Sequence, residues 1–148
     1  MNLKKKMALA GVFVVFSAIS FVANAVTLRI ANQGDALSLD PHSLNESLQL
    51  TVLNNIYEPL VARDRNYKLV PALATDWKQT SPTVWRFNLR KNVQFHDGTP
   101  FTADDVMFNY ERAKDAGSDM KSYVGNIKEI KKIDDHTVDF VLNNPFPI

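Results

Sequence analysis

Two places in the sequence set a histidine next to a carboxylate, the pairing that acid–base chemistry needs. His96 stands beside Asp97 and a few residues ahead of Asp104 and Asp105, and Asp40 precedes His42 by two positions. A histidine titrates near neutrality and a carboxylate can orient it, so either pair could act as the general base of a hydrolase. His96 with Asp104 and Asp105 also has ligand types suited to a metal ion. The spacing speaks against both. Adjacent residues of a turn or an extended segment diverge, and no second histidine lies at the i, i+4 spacing of a metal-binding helix. The chain has three histidines, His42, His96 and His136, each in a predicted turn, and no Gly-flanked serine nucleophile or cysteine. The expectation is a protein that is not an enzyme, with no catalytic residue, no metal and no cofactor.

The polar residues around His96 have structural uses instead. Asp97-Gly98 is a turn pair, in which glycine supplies a positive φ. Thr102 precedes an apolar-periodic segment and Asp105 follows three residues later, the spacing of a capping box; Phe101 and Val106 occupy the two positions of a hydrophobic staple. Asp104 and Asp105 then lie in the first turn of a helix, where its dipole favours negative charge. Phe108 falls on the side of this helix away from Val106, Met107, Tyr110 and Ala113, which leaves it to be covered by protein beyond these residues.

The elements carrying these residues are those of an ordinary globular chain: 148 residues, 45% hydrophobic and 22% charged. The first 25 stand apart. Lys4, Lys5 and Lys6 precede an apolar run from Met7 to Val22, and Ala23 and Ala25 place small residues ahead of Val26, the pattern of a cleaved secretory signal. As a helix the run rises about 24 Å, short of a hydrocarbon core of about 30 Å, so the product is not expected to span a membrane after cleavage. Removing residues 1–25 takes away three of the 17 Lys+Arg and none of the 16 Asp+Glu, so 14 basic side chains face 16 acidic ones and the formal charge becomes −2. No basic run survives to bind nucleic acid. With no cysteine, disulfides and a lipid-modified N-terminus are ruled out, and the expected destination is the periplasm.

Beyond the signal, Val26 to Ala31 alternates as a strand does and Gln33-Gly34-Asp35 stops it. Asp40-Pro41-His42 makes a turn. From about Asn45, the residues Leu48, Val52, Leu53 and Ile56 share a helical arc that must close near Glu58, ahead of Pro59. Leu60 to Ala62 leads to a turn at Asp64-Arg65-Asn66, and Pro71 can open a short helical turn through Ala74. In the next hairpin, Trp85, Phe87 and Leu89 share one face, with Arg86, Asn88 and Arg90 on the other. Ile127 to Ile133 and Thr137 to Leu142 flank Asp134-Asp135-His136 as a second hairpin.

Taken in order, Tyr57-Glu58-Pro59-Leu60-Val61, Val70-Pro71-Ala72-Leu73-Ala74 with Trp77, Trp85 to Val93, and Phe95-His96-Asp97-Gly98-Thr99-Pro100-Phe101-Thr102-Ala103-Asp104-Asp105-Val106 resemble the bacterial extracellular solute-binding proteins of family five. These are peptide- and nickel-binding receptors of ABC importers. The resemblance runs from residue 28 to 142. It departs at Thr80-Ser81-Pro82-Thr83, where such proteins usually turn with Asp-Gly, and in length, since the family runs to several hundred residues. Residues 26–148 are therefore expected to be an incomplete, N-terminal portion of the family domain.

The resemblance implies an α/β fold: the N-terminal part of a two-lobed periplasmic solute-binding fold of the Venus-flytrap type, a mixed sheet with hairpins and packed helices that closes on its ligand by a hinge. Its partners would be a short peptide or other small solute and a membrane permease with its ATPase. The other solutes open to it are a nickel chelate, glutathione or a sugar. This lobe's share of the ligand contacts would come from the loop after the first strand and the start of the next helix, with Leu37 as an apolar wall and Ser38, Asn45, Ser47 and Leu48 beside it. Ser38 and Asn45 serve equally well as a turn residue and a helix cap.

Overall fold

The computed structural model describes Thr27 and residues 29–147. The signal-like segment, with Ala23, Ala25 and Val26, lies outside the described residues. Residues up to Asn32 and the body from Gln33 onward are separate units. In the first, Thr27 and Arg29 to Ala31 carry no strand and are exposed. The strand expected over Val26 to Ala31 is not formed at these four positions. Among the described residues no neighbouring strand pairs with it, and a strand without a partner leaves its backbone hydrogen-bonding groups to water.

The second unit runs α1 (Ser47–Leu53), β1 (Val61–Arg63), β2 (Leu69–Pro71), β3 (Ala74–Ser81), β4 (Val84–Leu89), α2 (Ala103–Lys114), α3 (Lys121–Val124), β5 (Ile127–Asp134) and β6 (Thr137–Leu142). Strands β1 and β2 form a small two-stranded sheet, and the other four form an antiparallel sheet in the order β3-β4-β6-β5. Alternation in β4 does what its sequence demands: Phe87 and Leu89 are buried, and Phe87 packs against Phe140 of β6 at 4.8 Å between ring centroids. On the opposite face Arg86 meets its cross-strand partner Asp139 through two hydrogen bonds of 2.7 and 2.8 Å. That pairing makes the burial of the Asp139 carboxylate tolerable.

Helix α2 covers the core face of the sheet with Ala103, Val106, Tyr110 and Ala113, all buried. Its start is held from two directions. Thr102 Oγ1 accepts from Asp104 N and Asp105 Oδ2 accepts from Thr102 N at 2.7 Å, while Ala103 N donates to Asp135 O in the β5–β6 turn at 2.9 Å. Phe101 and Val106, at the staple positions, are both buried in the core. Phe108 faces away and is 71% exposed.

Two local expectations fail. Pro71 does not open a helical turn; it ends β2, paired with Val61. The following backbone groups are committed elsewhere, Leu73 N to Pro59 O and Ala74 N to Leu60 O. Helix α1 ends at Leu53, with a turn over 54–56, short of the expected end near Glu58. There Asn55 Nδ2 donates to Thr51 O and Thr51 Oγ1 to Ser47 O, and such side-chain bonds to the backbone compete with helix propagation.

Candidate functional site

The loop from Gly34 to Asp40 has no regular structure of its own, so something else must hold it. That group is Gln49 of α1, only 2% exposed. Its Oε1 accepts from Leu37 N at 3.1 Å and lies 3.4 Å from Ser38 N, and its Nε2 donates to Ser38 O. One buried amide thus satisfies three backbone groups of the loop, as a paired strand would. Gln49 falls on the buried arc with Val52 and Leu53, and a polar residue on an apolar arc is the signal by which the sequence could have singled it out. The loop's side chains stay outside: Leu37 is 80% exposed and Leu39 is 61%. Ser38 Oγ accepts from Asp40 N at 3.0 Å, so Ser38 acts as a turn residue.

Asn45 does not cap α1. The N-cap is Glu46, which makes no side-chain cap bond, and the Asn45 amide lies across the surface at 3.1 and 3.4 Å from the hydroxyl of Tyr123 on α3. Ser47 is exposed and Leu48 half-buried. A Cβ added to Gly34 would stand 3.1 Å from Leu48 Cδ2, so a side chain there would make the Leu48 side chain give way by a few tenths of an ångström. The expected ligand-facing residues therefore lie on connected structure: Leu37 and Ser38 are tied to α1 through Gln49, and Asn45 to α3 through Tyr123. Tyr123 had no signal in the sequence, being 78 residues from its partner.

The candidate acid–base pairs are otherwise engaged. The Asp40 carboxylate pairs with Arg112 and accepts from His42 N at 2.9 Å; its pKa is lowered by the Arg112 guanidinium first and that backbone N–H second. The His42 ring is buried, with Nε2 3.5 Å from Asn109 Nδ2. Burial pushes its pKa down, with the nearby Arg112 adding to the effect. Asp97 accepts from Thr99 N at 2.9 Å and Thr99 Oγ1 at 2.7 Å, a local turn that lowers its pKa. Asp104 pairs with Lys132, and Asp105 belongs to the helix cap. Among the described residues no three His, Asp or Glu side chains converge as metal ligands, and no helix is long and apolar enough to cross a membrane.

A cavity of about 420 Å³ opens between α2, the sheet and the segment Tyr57 to Leu60, walled chiefly by apolar residues such as Leu73, Phe101, Val106 and Ile130. Of its polar wall groups, Glu58 pairs with Arg90 at 2.6 Å and Tyr110 Oη donates to Ile127 O at 2.6 Å, whereas the buried Nδ1 of His42 has no hydrogen-bond partner among the described residues. None of the expected ligand-facing residues line it.

Residues 68–148 match the family profile of the bacterial extracellular solute-binding proteins, family 5 Middle. The chain belongs to this family. It is 31% identical over 145 residues to the periplasmic oligopeptide-binding protein OppA of Escherichia coli (strain K12), a match covering 85% of this chain and 27% of that protein. It is 30% identical over 143 residues to the glutathione-binding protein GsiB of Shigella dysenteriae serotype 1 (strain Sd197), covering 95% of this chain and 28% of that one. Among solved structures, Haemophilus influenzae OppA in complex with the peptide RPPGFSPFR superposes with a TM-score of 0.71 at 28% identity, over 74% of this chain and 25% of that one. The family 5 chain thus spans about a quarter of the length of the curated relatives it matches, and its α/β body has the fold of that share of a two-lobed periplasmic binding protein.

Proposed function

We propose that the chain forms part of the substrate-binding component of an ABC importer, which captures short peptides in the periplasm and hands them to a membrane permease driven by its ATPase. Residues 1–25 act as the export signal, and residues 26–148 form an N-terminal portion of the solute-binding domain. Family membership and the peptide-binding relatives support this reading. The observation that carries it on this chain is the loop at Leu37 and Ser38, whose backbone is fixed from behind by a fully buried amide while its apolar side chains face solvent. A binding surface needs that division, because preorganised contacts lose little entropy when a ligand arrives. Leu37, Ser38, Asn45, Ser47 and Leu48 are this lobe's contribution. Peptides held by backbone hydrogen bonds, with wet side-chain pockets, suit such a surface. Glutathione is the second reading, favoured by the GsiB relative and itself a short peptide.

The test is a receptor in which the matching segment of E. coli OppA is replaced by residues 29–147 of this chain. A cooperatively folding chimera whose melting temperature rises with tri- and tetrapeptides supports peptide capture. A rise with glutathione alone selects the second reading. If neither raises it, although the chimera folds, the proposal fails.

A further inference from the structure

Two exposed tyrosines reach the candidate ligand region: Tyr57, whose hydroxyl donates to Leu39 O at 2.9 Å, and Tyr123, which meets the side chain of a candidate ligand residue and whose two ends live in different environments. Its hydroxyl is engaged by the Asn45 amide at 3.1 and 3.4 Å, and its backbone N donates to Met120 O at 3.0 Å. Yet the residue is 68% exposed. The aromatic body buries little and is fixed at its tip, which leaves a ring of defined orientation facing water. A rigid amphipathic side chain of this type gives large contact area for little entropy loss, which is why tyrosine is enriched among residues that dominate binding. The contrast with Tyr67 is informative: that residue is 80% exposed on the β1–β2 turn, but no hydrogen bond anchors its hydroxyl to a candidate ligand residue.

We infer that Tyr123 is a specificity-determining residue of the peptide site, a wall that favours ligands with an aromatic or large aliphatic side chain at the position seated against α3. The inference rests on the peptide-binding reading and deepens it. Asn45 then has two duties: it presents polar atoms beside the ligand, and it steers the ring through the hydroxyl. Rings stack on apolar and aromatic groups through dispersion and offset π contacts.

The experiment uses the folded OppA chimera described above, labelled with 3-fluorotyrosine, in which the fluorine signals of this chain's four tyrosines, Tyr57, Tyr67, Tyr110 and Tyr123, are assigned by single Tyr→Phe variants. Ala-Phe-Ala and Ala-Ala-Ala are titrated to about 10 mM, a range in which even millimolar binding is seen. The Tyr123 signal is expected to move with Ala-Phe-Ala at a midpoint about tenfold lower than with Ala-Ala-Ala, while that of Tyr67 stays still. Followed through the Leu37 and Ser38 amides, the preference should vanish in Tyr123→Ala and persist in weakened form in Tyr123→Phe, which keeps the ring but loses its Asn45 anchor. Movement of those amides with both peptides alike, with Tyr123 unmoved, overturns this inference and leaves peptide binding standing. Equal movement of Tyr123 and Tyr67 marks non-specific contact and also overturns it. If no signal moves with either peptide, the inference and the reading it rests on both fall.

Discussion

Replacing Thr102 by valine isolates the helix cap from the packing around it, because the two side chains share the same branched shape. Thr102 Oγ1 accepts from Asp104 N at 3.3 Å, a long bond at a solvent-exposed position where water can substitute in part. The reciprocal bond, Asp105 Oδ2 to Thr102 N, is 2.7 Å and charge-assisted. The first helical amide is meanwhile satisfied by Asp135 O, so no single change strips the whole terminus. Thr102→Val should therefore cost about 1 kcal/mol, in the middle of the usual range for a lost cap. Asp105→Ala should cost somewhat more, about 1–2 kcal/mol, since it removes the shorter bond and a charge from the helix N-terminus. The double variant should lose less than the sum, because both bonds hold the same turn. Urea unfolding followed by circular dichroism reads these values directly, and each 1 kcal/mol corresponds to roughly 4 °C of melting temperature. Thr102→Ser serves as the control that keeps the hydroxyl. If Thr102→Ser is as destabilising as Thr102→Val, the methyl group and not the hydroxyl matters, and the capping argument is wrong.

Three further predictions concern export, pH and binding. Expression with its own leader should yield a product beginning at Val26, and N-terminal sequencing that finds Met1 retained in a membrane fraction would refute the signal assignment. The His42 ring has its pKa lowered from an ordinary 6.5 by burial, so the unfolded chain takes up this proton first. Stability should be fully present above about pH 6.5 and decline as the pH falls towards the lowered folded value. Asp40 and Glu58, whose pKa values are lowered by their arginine partners, extend the loss below the ordinary carboxylate range. A melting temperature that drops between pH 7 and 5 just as steeply in His42→Asn as in the wild type would assign the effect to another group. Calorimetry at micromolar concentration should detect no peptide binding by residues 26–148 alone, because a solute enclosed between two lobes draws groups from both; tight saturable heat from this chain would mean that the site has been misplaced.

What the sequence disclosed and what it hid divide along a physical line. The β4 face of Phe87 and Leu89, the β5–β6 hairpin, the turn at Gly98 with its φ of 87° and the start of α2 are set by neighbours within a few positions, and local periodicity or turn chemistry is enough to read them. Most failures came where a distant partner decided the outcome; the early end of α1 is the exception, set by the local Thr51 and Asn55 bonds. Pro71 extends a strand because Val61 pairs with it, and Thr27 and Arg29 to Ala31 form no strand, with no partner among the described residues. The site residues belong to the second class. Leu37, Ser38 and Asn45 were accessible from resemblance; Gln49 left a polar residue on an apolar arc as its signal, but Tyr123, 78 residues from Asn45, shows its contact only in three dimensions.

That division bears on how such a surface can vary its ligand while its fold persists. Beyond its covalent connections, the loop is tied to the body by polar links: Gln49 to the Leu37–Ser38 backbone, Tyr57 Oη to Leu39 O at 2.9 Å, Arg112 to Asp40, and Asp119 N to His42 O at 2.9 Å. None of these bonds involves the side chain of Leu37 or Leu39, and the Asn45–Tyr123 pair stands outside the buried core. Substituting Leu37 or Tyr123 would therefore leave the core contacts intact, whereas substituting Gln49 would free three part-buried backbone groups of the loop, at a cost of about 1 kcal/mol each where water replaces the amide only in part. This separation would let the proposed ligand-facing residues change while the residues that hold the loop stay constrained by folding.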